Sequence, residues 1–227
     1  MEWPRRVVAS LGAVELIHWP LVGLRLRTRD LVLRPTVEAD LSAVVATLSA
    51  DVGTNPHLPR FPGLDASCSR AVSAHQSYWQ SVGNWSIGAW RLDLVIVADD
   101  RIVGVQSLEG EDFLALRTVD SASHLVEGVR GRGWGKQSRQ AVLALAFGPL
   151  GAEYAVTSAW ESNGASLGVS RALGYRPNGE SRHRSESGQG AATMVHLLMS
   201  RAEWEATASA SSVTISGFER CRPFFGL

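Results

Sequence analysis

Cysteine is nearly absent from this chain: Cys68 and Cys221 are the only two in 227 residues. That excludes a disulfide-stapled scaffold, and two cysteines with six scattered histidines do not compose a structural zinc site. No metal is expected. Lysine is scarcer still. Lys136 is the single one, and every other member of the 22 basic residues is arginine. An excess of either charge is also missing, because the acidic residues number 22 as well. A zero net charge opposes a nucleic-acid binder, which carries a basic surplus to neutralise phosphates. No segment approaches the ~20 apolar residues of a membrane helix. Arg5 and Arg6 before Val7–Val14 faintly imitate a signal peptide, but Glu15 interrupts the apolar run and no small-residue cleavage site follows. The expectation is a cytoplasmic protein with neither membrane nor nucleic acid as partner.

What is present is ordinary globular composition, with 45% apolar residues, 22 glycines and 9 prolines. A chain of this length buries roughly 70–75% of its unfolded surface and needs no staple. Arginine in place of lysine, with abundant Ala, Gly and Val, points to a high-GC bacterial genome. Residues 1–23 read as an N-terminal extension, 24–209 as one domain, and 210–227 as a tail packed on it.

Hydrophobic periodicity and turn residues give an alternating plan. Leu24–Arg34 reads as a strand ended by Pro35, and Val37–Leu48 as a helix with Thr36 at its N-cap. Asp51–Ser69 is a turn-rich loop and Ser67–Ser81 a second helix. Leu92–Ala98 and Arg101–Leu108 make a hairpin around Asp99-Asp100. Leu114–Val126 reads as one long strand. Gly133–Phe147 is a helix whose second half is apolar nearly all round, so it is expected to be buried. Glu153–Trp160 is a strand, and Asn163–Leu173 a short helix stopped by Gly174. Arg176–His183 and Thr193–Ser200 form a second hairpin around Ser187–Gly190, and Arg201–Ala208 a terminal helix. The strand–helix–strand unit favours parallel pairing, whereas the hairpins are antiparallel. The fold class is therefore α/β (α+β), with one mixed sheet.

The informative segment is Val129-Arg130-Gly131-Arg132-Gly133-Trp134-Gly135-Lys136. It lies between a strand and the start of a helix. Three glycines allow a sharp turn and leave no Cβ between main-chain N–H groups and a ligand. The helix start adds unpaired donors and partial positive charge, and Arg130, Arg132, Lys136 and Arg139 surround it. This is a phosphate-binding arrangement. It is not a nucleoside-triphosphate loop, because Gly131 to Gly135 is one residue short and Gln137 follows the lysine. Nor does it have the G-x-G-x-x-G spacing of a dinucleotide site.

The spacing Arg130-x-x-Gly133-x-Gly135 resembles the [QR]-x-x-G-x-[GA] turn of the GNAT superfamily of acyl-CoA-dependent N-acyltransferases. The resemblance continues through Asn163-Gly-Ala-Ser166-Leu-Gly-Val169-Ser170 to Gly174-Tyr175, similar to that family's N-x-x-S/A…G-[FY] helix. Thr28–Pro35 with Asp40-Leu41, and Met194–Trp204, resemble the opening and closing elements of the RimJ/RimL-like branch. Together these cover roughly Leu24–Trp204. The tail Gly217–Gly226 resembles that of actinobacterial members that can take succinyl-CoA.

The resemblance implies a single GNAT-type domain in which the strands Leu114–Val126 and Glu153–Trp160 run parallel but splay apart. It implies acetyl-CoA or succinyl-CoA as co-substrate, with the pantetheine arm pairing near Leu125 and Val126. The pyrophosphate would lie on Arg130, Gly131, Arg132, Gly133, Trp134, Gly135 and Lys136, with Asn163 as N-cap or ligand to the pantetheine amide. Trp134 either covers the adenine or anchors the helix. The partner is a primary amine on a protein or small molecule, and a homodimer is a family-level expectation.

Acyl transfer from a thioester to an amine needs a base, an N–H donor for the tetrahedral oxyanion, and an acid for the leaving thiolate. Asp120 is the first choice for the base, aligned with a carboxylate that relatives carry on this strand; a salt-bridged aspartate is the bland alternative. Glu161 and His124 follow. Relatives outside the RimL branch often have a tyrosine acid where this chain has Ser170, so Ser166 is the substitute, with Ser170 one helical turn away on the same face. Tyr175 reads as core. The acceptor side falls to Asp51–Trp90, where His57, Phe61, His75, Tyr78, Trp79, Trp85 and Trp90 offer either an aromatic lining or lid packing. The rival from another class is a non-catalytic CoA-binding sensor or partner-binding module.

Overall fold

The computed structural model describes residues 18–48, 61–185, 190–207 and 212–227. His57, residues 51–60 of the turn-rich loop and residues 187–189 of the expected hairpin turn lie outside the described residues. The described chain holds nine strands: β1 (Arg25–Arg27), β2 (Val32–Pro35), β3 (Ala89–Ala98), β4 (Arg101–Glu111), β5 (Thr118–Leu125), β6 (Tyr154–Trp160), β7 (Arg176–Arg184), β8 (Ala191–Ser200) and β9 (Thr214–Ser216). The helices are α1 (Leu41–Thr47), α2 (Ala66–Gly83), α3 (Phe113–Leu116), α4 (Trp134–Phe147), α5 (Gly164–Leu173) and α6 (Arg201–Glu205). The strands form one mixed sheet in the order β7-β8-β6-β5-β4-β3-β2-β1-β9. Only β5 and β6 are parallel.

The β3–β4 hairpin turns where expected. Asp99 and Asp100 both take positive φ, 47° and 58°, which short polar side chains tolerate in a tight two-residue loop. Helix α4 is the core helix: all but one of its residues from Ser138 to Phe147 are buried. Helix α5 begins where Asn163 Oδ1 accepts from Ser166 N–H at 3.0 Å and stops at Gly174, whose φ of 101° suits only glycine.

Three expectations needed correction. Leu24–Arg34 is not one strand but a tight antiparallel pair, β1 and β2. Thr28 N–H donates to Leu31 O, and the polar Arg29-Asp30 tip docks on Gln137 of α4. Leu114–Val126 starts four residues late, because Asp112 and Arg117 (φ 45° and 46°) bracket the single turn α3. Phe113 is fully buried against Trp90 there, 5.3 Å between rings, while Leu114 and Leu116 stay exposed. Thr36 is not the cap of the first helix. Its N–H joins Asp93 O, and a 3-10 turn (Glu38–Asp40) precedes α1, with Asp40 Oδ2 accepting from Val37 N–H. Asp40 also takes a two-pronged bond from Arg34, at 2.6 and 2.7 Å.

The last residues extend the sheet. Strand β9 pairs with β1, and Phe218, Cys221 and Phe225 are buried, with the Phe225 ring against Trp85, Trp90 and Phe218. Trp85 Nε1 donates to Phe224 O at 2.9 Å. Burial pushes the Cys221 thiol up to about 11, so it stays protonated and serves as core.

Candidate active site

The one parallel pair is short. Strands β5 and β6 are registered only at Thr118–Asp120 against Tyr154–Val156, and beyond that they part. The next two residues mark the apex of the split. Thr157 Oγ1 donates to Ser121 O at 3.0 Å, replacing the lost ladder bond, and itself accepts from Arg139 Nη1 at 3.1 Å. Arg139 comes from α4 and is 2% exposed, so a buried guanidinium backs the apex. Ala122 O accepts from Gln106 on the β4 side while Ser121 O faces β6. Strand alternation then turns the main-chain groups of Ser123 and Leu125 into the gap. Val126 differs: its N–H is spent on Val103 O and its carbonyl on Val129 N–H.

One face of this split leads to the glycine turn. Gly131 and Gly133 hold φ of 81° and 79°, and a Cβ built on either would meet nothing within 4 Å. They are glycine for backbone conformation and leave an open cradle at the N-terminus of α4. A Cβ on Gly135 would touch Val169 of α5 at 3.5 Å, so α4 and α5 approach closely there. Arg130 Nε donates to Leu125 O at 3.1 Å, and Arg132 lies 5.4 Å over the Trp134 ring. Trp134 is thus half-buried at the helix start, with a cation on its face. Lys136 stands in the first turn of α4.

The other face opens into a cleft of about 1120 Å³ between α1, α2 and strands β3–β6. Its floor carries a row set by cross-strand register: Arg91 of β3, Glu109 of β4, Asp120 of β5 and Val156 of β6. Arg91 donates to Asp93 at 2.8 Å and to Glu109 at 2.6 Å. Asp120 accepts from its neighbouring Ser121 N–H at 2.6 Å. Burial in the cleft pushes the Asp120 carboxyl up to about 6. Glu109 opposite pushes the same way, whereas the Ser121 N–H, Arg139 and Arg91 pull it down. A carboxylate poised there is suited to accept a proton near neutrality.

The remaining candidates separate. Ser166 is half-exposed in the first turn of α5, whereas Ser170 is buried with its hydroxyl donated to Ser166 O at 3.1 Å. His124 is tied to Thr47 O at 3.0 Å, closing α1 onto β5. Glu161 is exposed past the end of β6. Tyr175 is core, as expected. Of the aromatics, only Tyr78 and Trp90 line the cleft; Trp79 and Phe61 are exposed and Trp85 packs with the tail. The lining sets aliphatic side chains such as Leu41, Val44 and Leu116 beside the charged row rather than being aromatic. Sequence reasoning missed Arg91 and Glu109, and placed Arg139 among the charges around the glycine turn whereas it is buried. The alternation in β3 and β4 put the first two on one face, but their pairing depends on register. Among the described residues, no three His, Cys, Asp or Glu side chains gather as a metal set. No described helix is long and apolar enough to cross a membrane.

Residues 30–176 match the family described as acetyltransferase (GNAT) domain. Among solved structures, the chain is similar to Mycobacterium smegmatis RimJ in complex with CoA-disulfide, at 19% identity and a TM-score of 0.67, covering 84% of this chain and 93% of that one. It is similar to the Vibrio fischeri ribosomal-protein-S5-alanine acetyltransferase, at 15% identity and a TM-score of 0.61, over 79% and 98% of the two chains. A GNAT-family acetyltransferase from Bacillus anthracis matches at 13% identity and a TM-score of 0.59, over 78% and 99%. At these identities the likeness is one of fold.

Proposed function

From the premise that the chain belongs to the GNAT acetyltransferase family, we propose that it transfers an acyl group, acetyl or succinyl, from acyl-CoA to a primary amine. Both substrates meet in one ternary complex. The observation that carries the reading is Asp120, a carboxylate raised to about 6, set where β5 and β6 part between the glycine cradle and the acceptor cleft.

The open cradle at Gly131 and Gly133 fits a pyrophosphate, whose charge Arg130, Arg132 and Lys136 offset beside the N–H groups of Trp134 and Gly135. The main-chain groups of Ser123 and the N–H of Leu125 present hydrogen bonds into the gap, the Leu125 carbonyl being held by Arg130, and Asn163 holds the start of α5 beside it. Bound acyl-CoA supplies the thioester. Asp120 takes a proton from the incoming ammonium. An N–H group in the split receives the oxyanion as the nitrogen–carbon bond forms. Ser166 gives a proton to sulfur as the carbon–sulfur bond breaks and regains one from solvent, while the nitrogen's second proton leaves to solvent; Ser170 fixes the turn behind Ser166. The succinyl donor rests on the tail's resemblance alone.

Thermal unfolding with CoA, acetyl-CoA and succinyl-CoA tests the reading. A ligand at about 100 times its Kd adds roughly 2.7 kcal/mol, or several degrees for a chain of this size. The acyl form giving the largest shift names the donor. Amine-dependent loss of the thioester then distinguishes catalysis from CoA sensing. The sensor reading draws support from Ser170, whose buried hydroxyl is committed inside its helix. A shift without amine-dependent turnover favours it, and no shift with any CoA species removes both readings.

A further inference from the structure

Transfer to an alkylammonium releases one net proton per turnover. The nitrogen loses two protons, sulfur regains one, and a single carboxylate must be emptied before it can act again. A route for that proton stands on the acceptor face of the sheet. The register Asp120↔Val156 makes Asp120 the last acceptor-face side chain before the split on β5. By strand alternation Ser158 is the first one beyond it on β6. Diagonal neighbours on paired strands lie roughly 7 Å apart, and the parting of β5 and β6 beyond Asp120 widens that gap into room for an amine nitrogen between the two side chains.

Ser158 Oγ is 2.8 Å from His196 Nδ1 on β8, its direct cross-strand partner. His196 Nε2 is 2.7 Å from Ser181 Oγ on β7, and Ser181 Oγ is 2.7 Å from His183 Nε2. The ring of Trp160 meets His183 edge-on at 5.7 Å. Ser158 and His183 are exposed and His196 and Ser181 are half-buried, so the chain runs along the sheet from the mouth of the split to open solvent. Every link joins one group able to donate to one able to accept, and imidazole is the side chain that exchanges protons near neutrality.

We propose that Ser158, His196, Ser181 and His183 form a proton relay that drains the acceptor nitrogen from the β6 side, opposite Asp120. This rests on the acyltransferase reading. In the step, the nitrogen's proton moves to Ser158 Oγ while the Ser158 proton passes to His196 Nδ1. The proton on His196 Nε2 passes to Ser181 Oγ, whose own goes to His183 Nε2. His183 gives its Nδ1 proton to solvent. No other bond changes, and the imidazoles reset by exchange with water.

The test compares a strongly basic alkylamine with a weakly basic amine that is already neutral, following thioester loss in the full chain. His196→Gln keeps hydrogen bonding but cannot pass a proton. The expected result is a fall in kcat of about 10²-fold with the alkylamine. With the weakly basic amine the loss is at most a few-fold, and the CoA-induced thermal shift is unchanged. Ser158→Ala and Ser181→Ala follow His196→Gln, whereas Ser158→Thr, which retains the hydroxyl, restores turnover. These serine variants decide the matter if His196→Gln does not fold. Equal losses with both amines, or none, overturn the relay while leaving the acyltransferase reading intact. A wild-type chain with no amine-dependent turnover overturns both.

Discussion

Glu109 stands directly opposite Asp120 on the neighbouring strand, on the same face of the sheet. Glu109→Gln removes one negative charge from beside the base and changes almost no volume. Directly opposed residues have Cβ atoms about 5 Å apart, which places the carboxylates roughly 6 Å from one another. In a cleft open on one side, an effective dielectric of about 40 gives an interaction near 1.4 kcal/mol, or about one pKa unit. Arg91, bonded to Asp93 at 2.8 Å, keeps its charge with one anion fewer beside it, which acts in the same direction. The sign is unambiguous: a lost anion makes ionised Asp120 easier to form. If Asp120 is the base, kcat/KM rises with pH through its pKa. The acid limb of the wild type is therefore expected near 6, and that of Glu109→Gln about one unit lower. The assay is the pH dependence of kcat/KM for thioester loss under amine-limited conditions. The CoA-induced thermal shift serves as the control that the cradle is intact. A limb that stays in place or moves up refutes the assignment of Asp120, as does a limb that survives in Asp120→Asn.

Asp40→Asn leaves the Arg34 guanidinium without its carboxylate in a mostly buried site. It is expected to cost about 2–3 kcal/mol in denaturant unfolding, less than a fully buried pair. Burial raises the Asp40 carboxyl, but the Arg34 fork and the Val37 N–H outweigh it and hold the group below its ordinary value. Its stabilisation is therefore present at neutral pH and lost as pH falls through that lowered value; the mutant and wild-type stabilities converge in strong acid. Phe225→Ala empties a fully buried ring site between Trp85, Trp90 and Phe218. It is expected to cost about 3–5 kcal/mol, with Trp fluorescence reporting the loosened cluster. Gly133→Ala forces a side chain into left-handed backbone at about 1–2 kcal/mol. It weakens CoA binding in titration calorimetry, and unchanged affinity would show that the turn is only a connection.

Local signals carried the strand–turn–helix–strand unit. Glycines at 131, 133 and 135, the apolar run to Phe147, the Asn163 cap and the Gly174 stop each act within a few residues. The Asp99-Asp100 hairpin was legible for the same reason. The beginning of β5 was not, because the chain turns at α3 to bury Phe113 under a tryptophan 23 residues earlier. Nor was the charged floor of the cleft. Arg91, Glu109 and Asp120 become neighbours only through the register of three strands, and a one-residue slip would send each to the opposite face. The Ser158–His196–Ser181–His183 chain is hidden in the same way, since its members come from three strands. Arg139 was read as one of the charges surrounding the turn, but it is buried, with Thr157 across the sheet as its acceptor.

The scarcity of lysine has a consequence for how this molecule meets its own chemistry. Thioesters acylate exposed amines slowly without help, and guanidinium groups resist them. A chain that uses arginine almost everywhere offers a single ε-amine, Lys136, and places it in the first turn of α4. An amine-reactive reagent therefore reads one lysine position, which stands at the mouth of the glycine turn. Its rate of labelling, with and without CoA, becomes a direct gauge of whether that turn is occupied.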